Sequence, residues 1–175
     1  MRALWIIFLL ALMPVFPAAG EVPRMDLSLI EGVYRQPLNV EPAQGTRDQA
    51  EGMLEVVGVS SRLAYIRLSL TFENGQSCDM WGLADVGTDE LVHRRPQTIW
   101  RNACVLRVRF GSERITFEDV GRLCRLRDCG VQGGYDAAGF TRQTRQPIIY
   151  MDRLLGSREY REAITEPKGR DPLPR

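Results

Sequence analysis

Leu63-Ala64-Tyr65-Ile66-Arg67-Leu68-Ser69-Leu70-Thr71-Phe72 carries the clearest pattern in the chain. Ala64, Ile66, Leu68, Leu70 and Phe72 alternate with Tyr65, Arg67, Ser69 and Thr71, the period of two that buries one face of a β-strand. Asn74-Gly75 follows at once. That dipeptide favours a tight hairpin because both residues tolerate positive φ, so Cys78 to Asp85 is predicted as the return strand.

The same logic extends outward in both directions. Cys104, Leu106, Val108 and Phe110 alternate with Val105, Arg107 and Arg109, and Gly111-Ser112 turns the chain into Arg114–Glu118. Arg107 and Arg109 are expected on one solvated face. Weaker runs at Ile30–Arg35, Met53–Val59 and Leu91–Arg94 bring the count to about seven strands. The expectation is a mainly β, antiparallel small barrel or sandwich with a short C-terminal helix.

Residues Gln36 to Gln49, with Pro37, Pro42 and Gly45, read as a long polar loop. After Glu118, five glycines crowd a segment that also holds Cys124 and Cys129, and it is expected to be irregular. Pro147–Tyr150 is a candidate last strand. Asp152 to Ile164 reads as one terminal helix with Asp152 or Ser157 as N-cap, weakened at Gly156 and stopped by Pro167.

The chain opens with Arg2, an apolar stretch and the small residues Ala18, Ala19 and Gly20. Residues 1–20 are therefore expected to be a cleaved signal peptide, with cleavage after Gly20 or Ala19. Pro14 and Pro17 interrupt the run, which is short for a membrane span. The expected organisation is one β-rich domain at 21–166 and a loose tail at 167–175, exported to the periplasm or secreted, without a stable membrane span.

In that compartment the four cysteines, Cys78, Cys104, Cys124 and Cys129, are expected as disulfides. Sequence alone leaves three connectivities open. Proximity favours Cys78–Cys104 and Cys124–Cys129.

Charge is balanced overall but segregated. Glu21–His93 holds twelve acidic residues and five arginines, whereas Arg94–Arg127 holds nine arginines and three acidic residues. Pairing of the two segments across one sheet would cancel the asymmetry. The alternative is a basic face for an anionic ligand, built from Arg122, Arg125, Arg127, Arg142 and Arg145 with Tyr135 and Trp81 beside it. Trp81 and Trp100 could line such a site, although packing is the commoner role of tryptophan in a small β-domain. Trp81 alternates out of phase with Cys78 and should face away from the disulfide.

The chemistry expected is binding rather than catalysis. The single histidine, His93, lies in Val92-His93-Arg94-Arg95, where adjacent guanidinium groups depress its pKa. There is no Gly-x-Ser-x-Gly elbow, and one histidine cannot build a His-x-x-x-His metal pair. No enzyme activity, cofactor, metal or nucleic-acid partner is expected. Gly130-Val131-Gln132-Gly133-Gly134 neither follows a clear strand nor opens a helix, so it reads as a loop making close backbone contacts rather than a phosphate cradle.

The run Cys124-x4-Cys129-Gly130-x2-Gly133-x2-Asp136, then Phe140, Arg142, Arg145, Pro147-Ile148-x-Tyr150-Met151-x-Arg153-Leu154 and Ser157-Arg158-Glu159-Tyr160, resembles the C-terminal signature of uncharacterised exported proteins of proteobacteria. The turn Phe72-Glu73-Asn74-Gly75-Gln76-Ser77-Cys78 is similar to an earlier motif of the same group. The resemblance implies a periplasmic or secreted location and no particular activity. Gly32-Val33-Tyr34 is similar to the Gly-x-Trp opening strand of lipocalins, with tyrosine in the tryptophan position. Periplasmic lysozyme inhibitors, compact disulfide-tied β-barrels, offer an analogy at the level of fold. The expected partner is an envelope protein, inhibited or tethered, with an anionic envelope glycan or small ligand as the alternative; a remoter second alternative is that the chain is itself a hydrolase of unknown type.

Overall fold

The computed structural model describes residues 23–37, 51–72, 75–97, 103–129, 133–136 and 138–165. The expected signal peptide, most of the polar loop after Gln36, Trp100 and the C-terminal tail lie outside them. Among the described residues eight strands form one antiparallel meander: β1 Gly32–Pro37, β2 Glu51–Ser60, β3 Leu63–Thr71, β4 Ser77–Val86, β5 Glu90–Arg95, β6 Cys104–Phe110, β7 Arg114–Asp119 and β8 Gly139–Thr141. Each strand pairs with the next in sequence. The sheet then curls until Val33 and Gln146 exchange two backbone hydrogen bonds of 2.9 Å, so the architecture is a nearly closed barrel rather than a sandwich.

Closure depends on Gly32. Its φ is +150°, and a Cβ there would lie 2.7 Å from the Gln146 carbonyl oxygen. No other residue type allows the two backbones to approach so closely without displacement.

The alternation read from the sequence becomes an inside and an outside. Ala64, Ile66, Leu68 and Leu70 of β3 face the interior, where they meet Cys78, Met80 and Ala84 of β4 and Leu106 and Val108 of β6. Tyr34, Leu54, Ile115 and Phe140 complete a continuous packed core, and all four are fully buried. Burial of each such side chain contributes roughly 1.5–3 kcal/mol. Tyr34 keeps its hydroxyl satisfied by donating to the Ile30 carbonyl at 2.8 Å.

Among the described residues three short α-helices decorate the barrel: α1 Leu123–Asp128, α2 Met151–Leu155 and α3 Arg158–Thr165. The last two pack on the outside, where Ile148, Leu154 and Ala163 cover Val33, Val57 and Tyr65, with Trp81, Leu83 and Tyr160 alongside. Glu55 is buried beneath them, paired with Arg67 at 2.7 Å and accepting a hydrogen bond from the Tyr150 hydroxyl.

Two sequence expectations fail here. Pro147–Tyr150 is not a strand; β8 lies earlier, and Gln146 supplies only an isolated bridge to Val33. The single C-terminal helix is two, because the chain breaks at Gly156 and restarts where the Ser157 hydroxyl accepts from Tyr160 N–H at 3.1 Å. A strand of three residues shows too little alternation to be read from sequence.

The segregated charge is partly paired in space. Arg94 pairs with Asp85 at 2.7 Å and Arg107 with Glu90 at 2.5 Å, joining the two segments across neighbouring strands, while Arg109 pairs with Glu118 at 2.6 Å within the arginine-rich one. Arg107 and Arg109 do share the outer face.

Candidate functional site

The antiparallel meander has two ends. One carries the β2–β3, β4–β5 and β6–β7 turns; the other carries the β3–β4 hairpin, the β5–β6 connection and the segment from Val120 to Ala138 that holds α1. Both disulfides lie at the α1 end. Cys78 pairs with Cys129, and Cys104 with Cys124.

This connectivity corrects the pairing favoured by sequence proximity. Cys124 and Cys129 are separated by α1, whose turn of 3.6 residues carries positions five apart toward different sides. Cys78 at the start of β4 and Cys104 at the start of β6 are kept apart because β5 lies between their strands. The helix sits over the barrel mouth and is riveted to both strands. Two disulfides are compatible with an oxidising compartment, and no helix among the described residues is long and apolar enough to cross a membrane.

The entry to α1 is built by Asp119, the last residue of β7. Its side chain accepts from Cys124 N–H at 2.9 Å and Arg125 N–H at 2.8 Å, while its own N–H donates to the Asp136 carboxylate at 2.8 Å. A carboxylate on the first free amides of a helix satisfies donors that have no intrahelical partner. Between cap and helix the chain turns through two left-handed residues, Gly121 (φ 68°) and Arg122 (φ 57°). Arg122 is the one non-glycine residue with positive φ among the described residues.

The outer surface of this element is exposed. Leu126 is 70% exposed and Val120 41%, and the Arg122 side chain is 71% exposed, 4.0 Å from Asp136. The C-terminal end of α1 is tied down by Asp128, whose buried carboxylate receives Arg95 at 2.9 Å.

Below α1 the barrel wall is incomplete. β4 and β5 pair only from Ala84 to Val86, opposite Leu91 to His93. Above that point side chains replace the ladder: His93 Nδ1 lies 2.8 Å from the Leu83 carbonyl, and Arg95 donates to the Trp81 carbonyl at 2.5 Å. With Nδ1–H donating, Nε2 is the acceptor nitrogen, and it is buried without a hydrogen-bond partner. Burial first, and then the guanidinium of Arg95, depress the His93 pKa to about 4. Of the two adjacent arginines expected from sequence, Arg95 contributes, together with Arg127 from α1, but desolvation is the larger cause. Tyr135 is fully buried nearby, and burial raises its pKa.

The sequence-predicted basic face is divided. Arg122, Arg125 and Arg127 belong to the α1 end, together with Trp81 and Tyr135. Arg142 and Arg145 lie at the opposite end, donating to the Gly111 carbonyl and the Ser28 carbonyl, both at 3.1 Å. Five arginines thus do not form one site. Trp81 packs on the outer face, away from Cys78 as expected, and Tyr135 is core rather than surface.

Sequence reasoning missed α1, Leu126 and the capping role of Asp119. The Asp119-x4-Cys124 spacing and the arginine-rich Leu123–Asp128 run were the available signals, but six residues between glycines read as loop. Comparison with protein-family models, with curated proteins and with solved structures found no match.

Proposed function

We propose that this is an exported, non-catalytic binding protein of the bacterial envelope that inhibits or tethers a protein partner through its α1 end. One observation carries the reading. Two disulfides, the Asp119 cap and the Arg95–Asp128 ion pair all converge on a six-residue helix whose outer face presents Leu126 to solvent. Such bracing fixes a recognition element before its partner arrives and reduces the ordering entropy lost on binding.

Other features support it. The interior-facing strand residues form a packed core, which favours recognition by the surface over capture inside the barrel. The only histidine is buried with Nδ1 held by a carbonyl, so it is not presented as a surface base. The leader, the resemblance to exported proteins and the disulfides all favour the periplasm or the secreted fraction.

Affinity capture from envelope extract tests the reading, using the oxidised mature protein, Leu126→Asp and, as a control remote from α1, Ile149→Asp. A stoichiometric protein retained by the first and third but lost with Leu126→Asp is the expected result. Capture unaffected by Leu126→Asp, or retention of a lipid or glycan alone, would sink it.

A further inference from the structure

The two disulfides tie the α1 segment to β4 and to β6 but not to β5, the strand that lies between them. β5 stays paired with β6 as far as Arg95, whereas no β4–β5 pair follows His93 among the described residues. Beyond that point the side chains of His93 and Arg95 reach across to the Leu83 and Trp81 carbonyls. A covalent frame thus surrounds a seam that is itself closed by non-covalent contacts.

His93 is the part of that seam able to change charge. Its register partners, Ala84 on β4 and Leu106 on β6, are core residues, so the ring points into the barrel. There it takes the space of a missing side chain: a Cβ on Gly82 would lie 2.4 Å from its Cε1. Nδ1 is 2.8 Å from the Leu83 carbonyl, and the buried Nε2 has no hydrogen-bond partner. Protonation would turn that nitrogen into a buried donor with no acceptor beside it, a costly state.

The surrounding charges oppose the proton as well. Arg95 from β5 and Arg127 from α1 both act on the ring as cations. The Asp128 carboxylate of α1 lies 2.9 Å from Arg95 and 4.0 Å from Arg127, and Tyr135, buried in the same cluster, feels both Asp128 and Arg95. The inward positions of β4 and β6 here are Gly82, Ala84, Leu106 and disulfide-bonded Cys104, none of them ionisable, while Arg94 and Asp85 pair on the outer face.

We propose that the seam between β4 and β5 is an acid-operated slit: protonation of His93 drives its ring from between the strands and parts their α1 ends, while the disulfides keep β4, α1 and β6 assembled. The device stands whatever α1 binds. Burial, Arg95 and Arg127 hold the folded ring at a pKa of about 4, against 6.5 in an ordinary environment, so the open form takes up the proton first. The slit is therefore most firmly shut above pH 6.5. Relative to neutral pH, the open population should rise about twentyfold at pH 5 and about a hundredfold at pH 4.

Amide hydrogen exchange of the full oxidised protein, read by NMR from pH 7 to pH 4 and corrected for intrinsic rates, tests this. Protection at Asp85 and Val92, which face each other just short of the slit, should fall by those factors while Ile66 and Leu68 in β3 keep theirs. The fall should follow the titration of the His93 ring, and His93→Gln should abolish it. Seam protection unchanged down to pH 4, an even loss over the whole barrel, or the same loss in His93→Gln would overturn the proposal. Should His93→Gln fail to fold, the unmodified protein decides alone, since ring titration and seam protection must then trace one curve.

Discussion

Arg95 engages Trp81 twice: its guanidinium donates to the Trp81 carbonyl at 2.5 Å and lies 5.6 Å from the centroid of the same residue's ring. The third contact, to Asp128, makes this one side chain the stitch between β4, β5 and α1. Strands that have diverged beyond backbone pairing are thus held by a planar cation with several donors.

Arg95→Ala is expected to destabilise the protein by about 3 kcal/mol, because it takes the closest guanidinium, 2.9 Å away, from the buried Asp128 carboxylate. Replacing both partners with apolar residues, as in Arg95→Met with Asp128→Leu, should restore part of that loss. Chemical denaturation of the three proteins checks the order.

Acid should weaken the same seam. His93 titrates at about 4 in the folded protein against 6.5 in an ordinary environment, so the unfolded chain binds its proton first. Stability is therefore fully present above pH 6.5 and falls as pH drops toward 4, by a total on the order of 3 kcal/mol. His93→Gln should flatten that part of the pH profile in urea titrations, and an unchanged slope would contradict the assignment.

Tyr150→Phe removes the hydroxyl that donates to buried Glu55, and burial together with that bond raises the Tyr150 pKa. A loss of about 1–2 kcal/mol is expected. Hydrogen exchange should localise the loosening to α2 and α3.

The two disulfides should differ modestly. In the chain-entropy model, a link across 51 positions restricts the unfolded chain more than one across 20. Removing Cys78–Cys129 as a serine pair should cost about 4 kcal/mol, and removing Cys104–Cys124 about 3 kcal/mol. Peptide mapping under oxidising conditions checks the connectivity itself.

What the sequence displayed well was anything periodic and local. The strand at Leu63–Phe72 and its hairpin partner were legible because alternation persists over many residues, and β6 matched its expected limits at Cys104 and Phe110. The α1 end was not legible, because its order comes from Asp119 reaching forward to helix amides and from cysteines distant in sequence. Arg142 and Arg145 looked like neighbours of Arg122 in a list of residues. Antiparallel strand direction sends them to the other end of the barrel.

Barrel closure has a consequence for biogenesis. Every other strand finds its neighbour in the next stretch of chain, so hairpins can zip in the order in which they are made. Val33 alone must wait for Gln146. Until then β1 presents an unpaired edge, the kind of surface on which chains aggregate. The nascent protein therefore stays exposed to chaperones, proteases and its own copies until the stretch around Gln146 arrives.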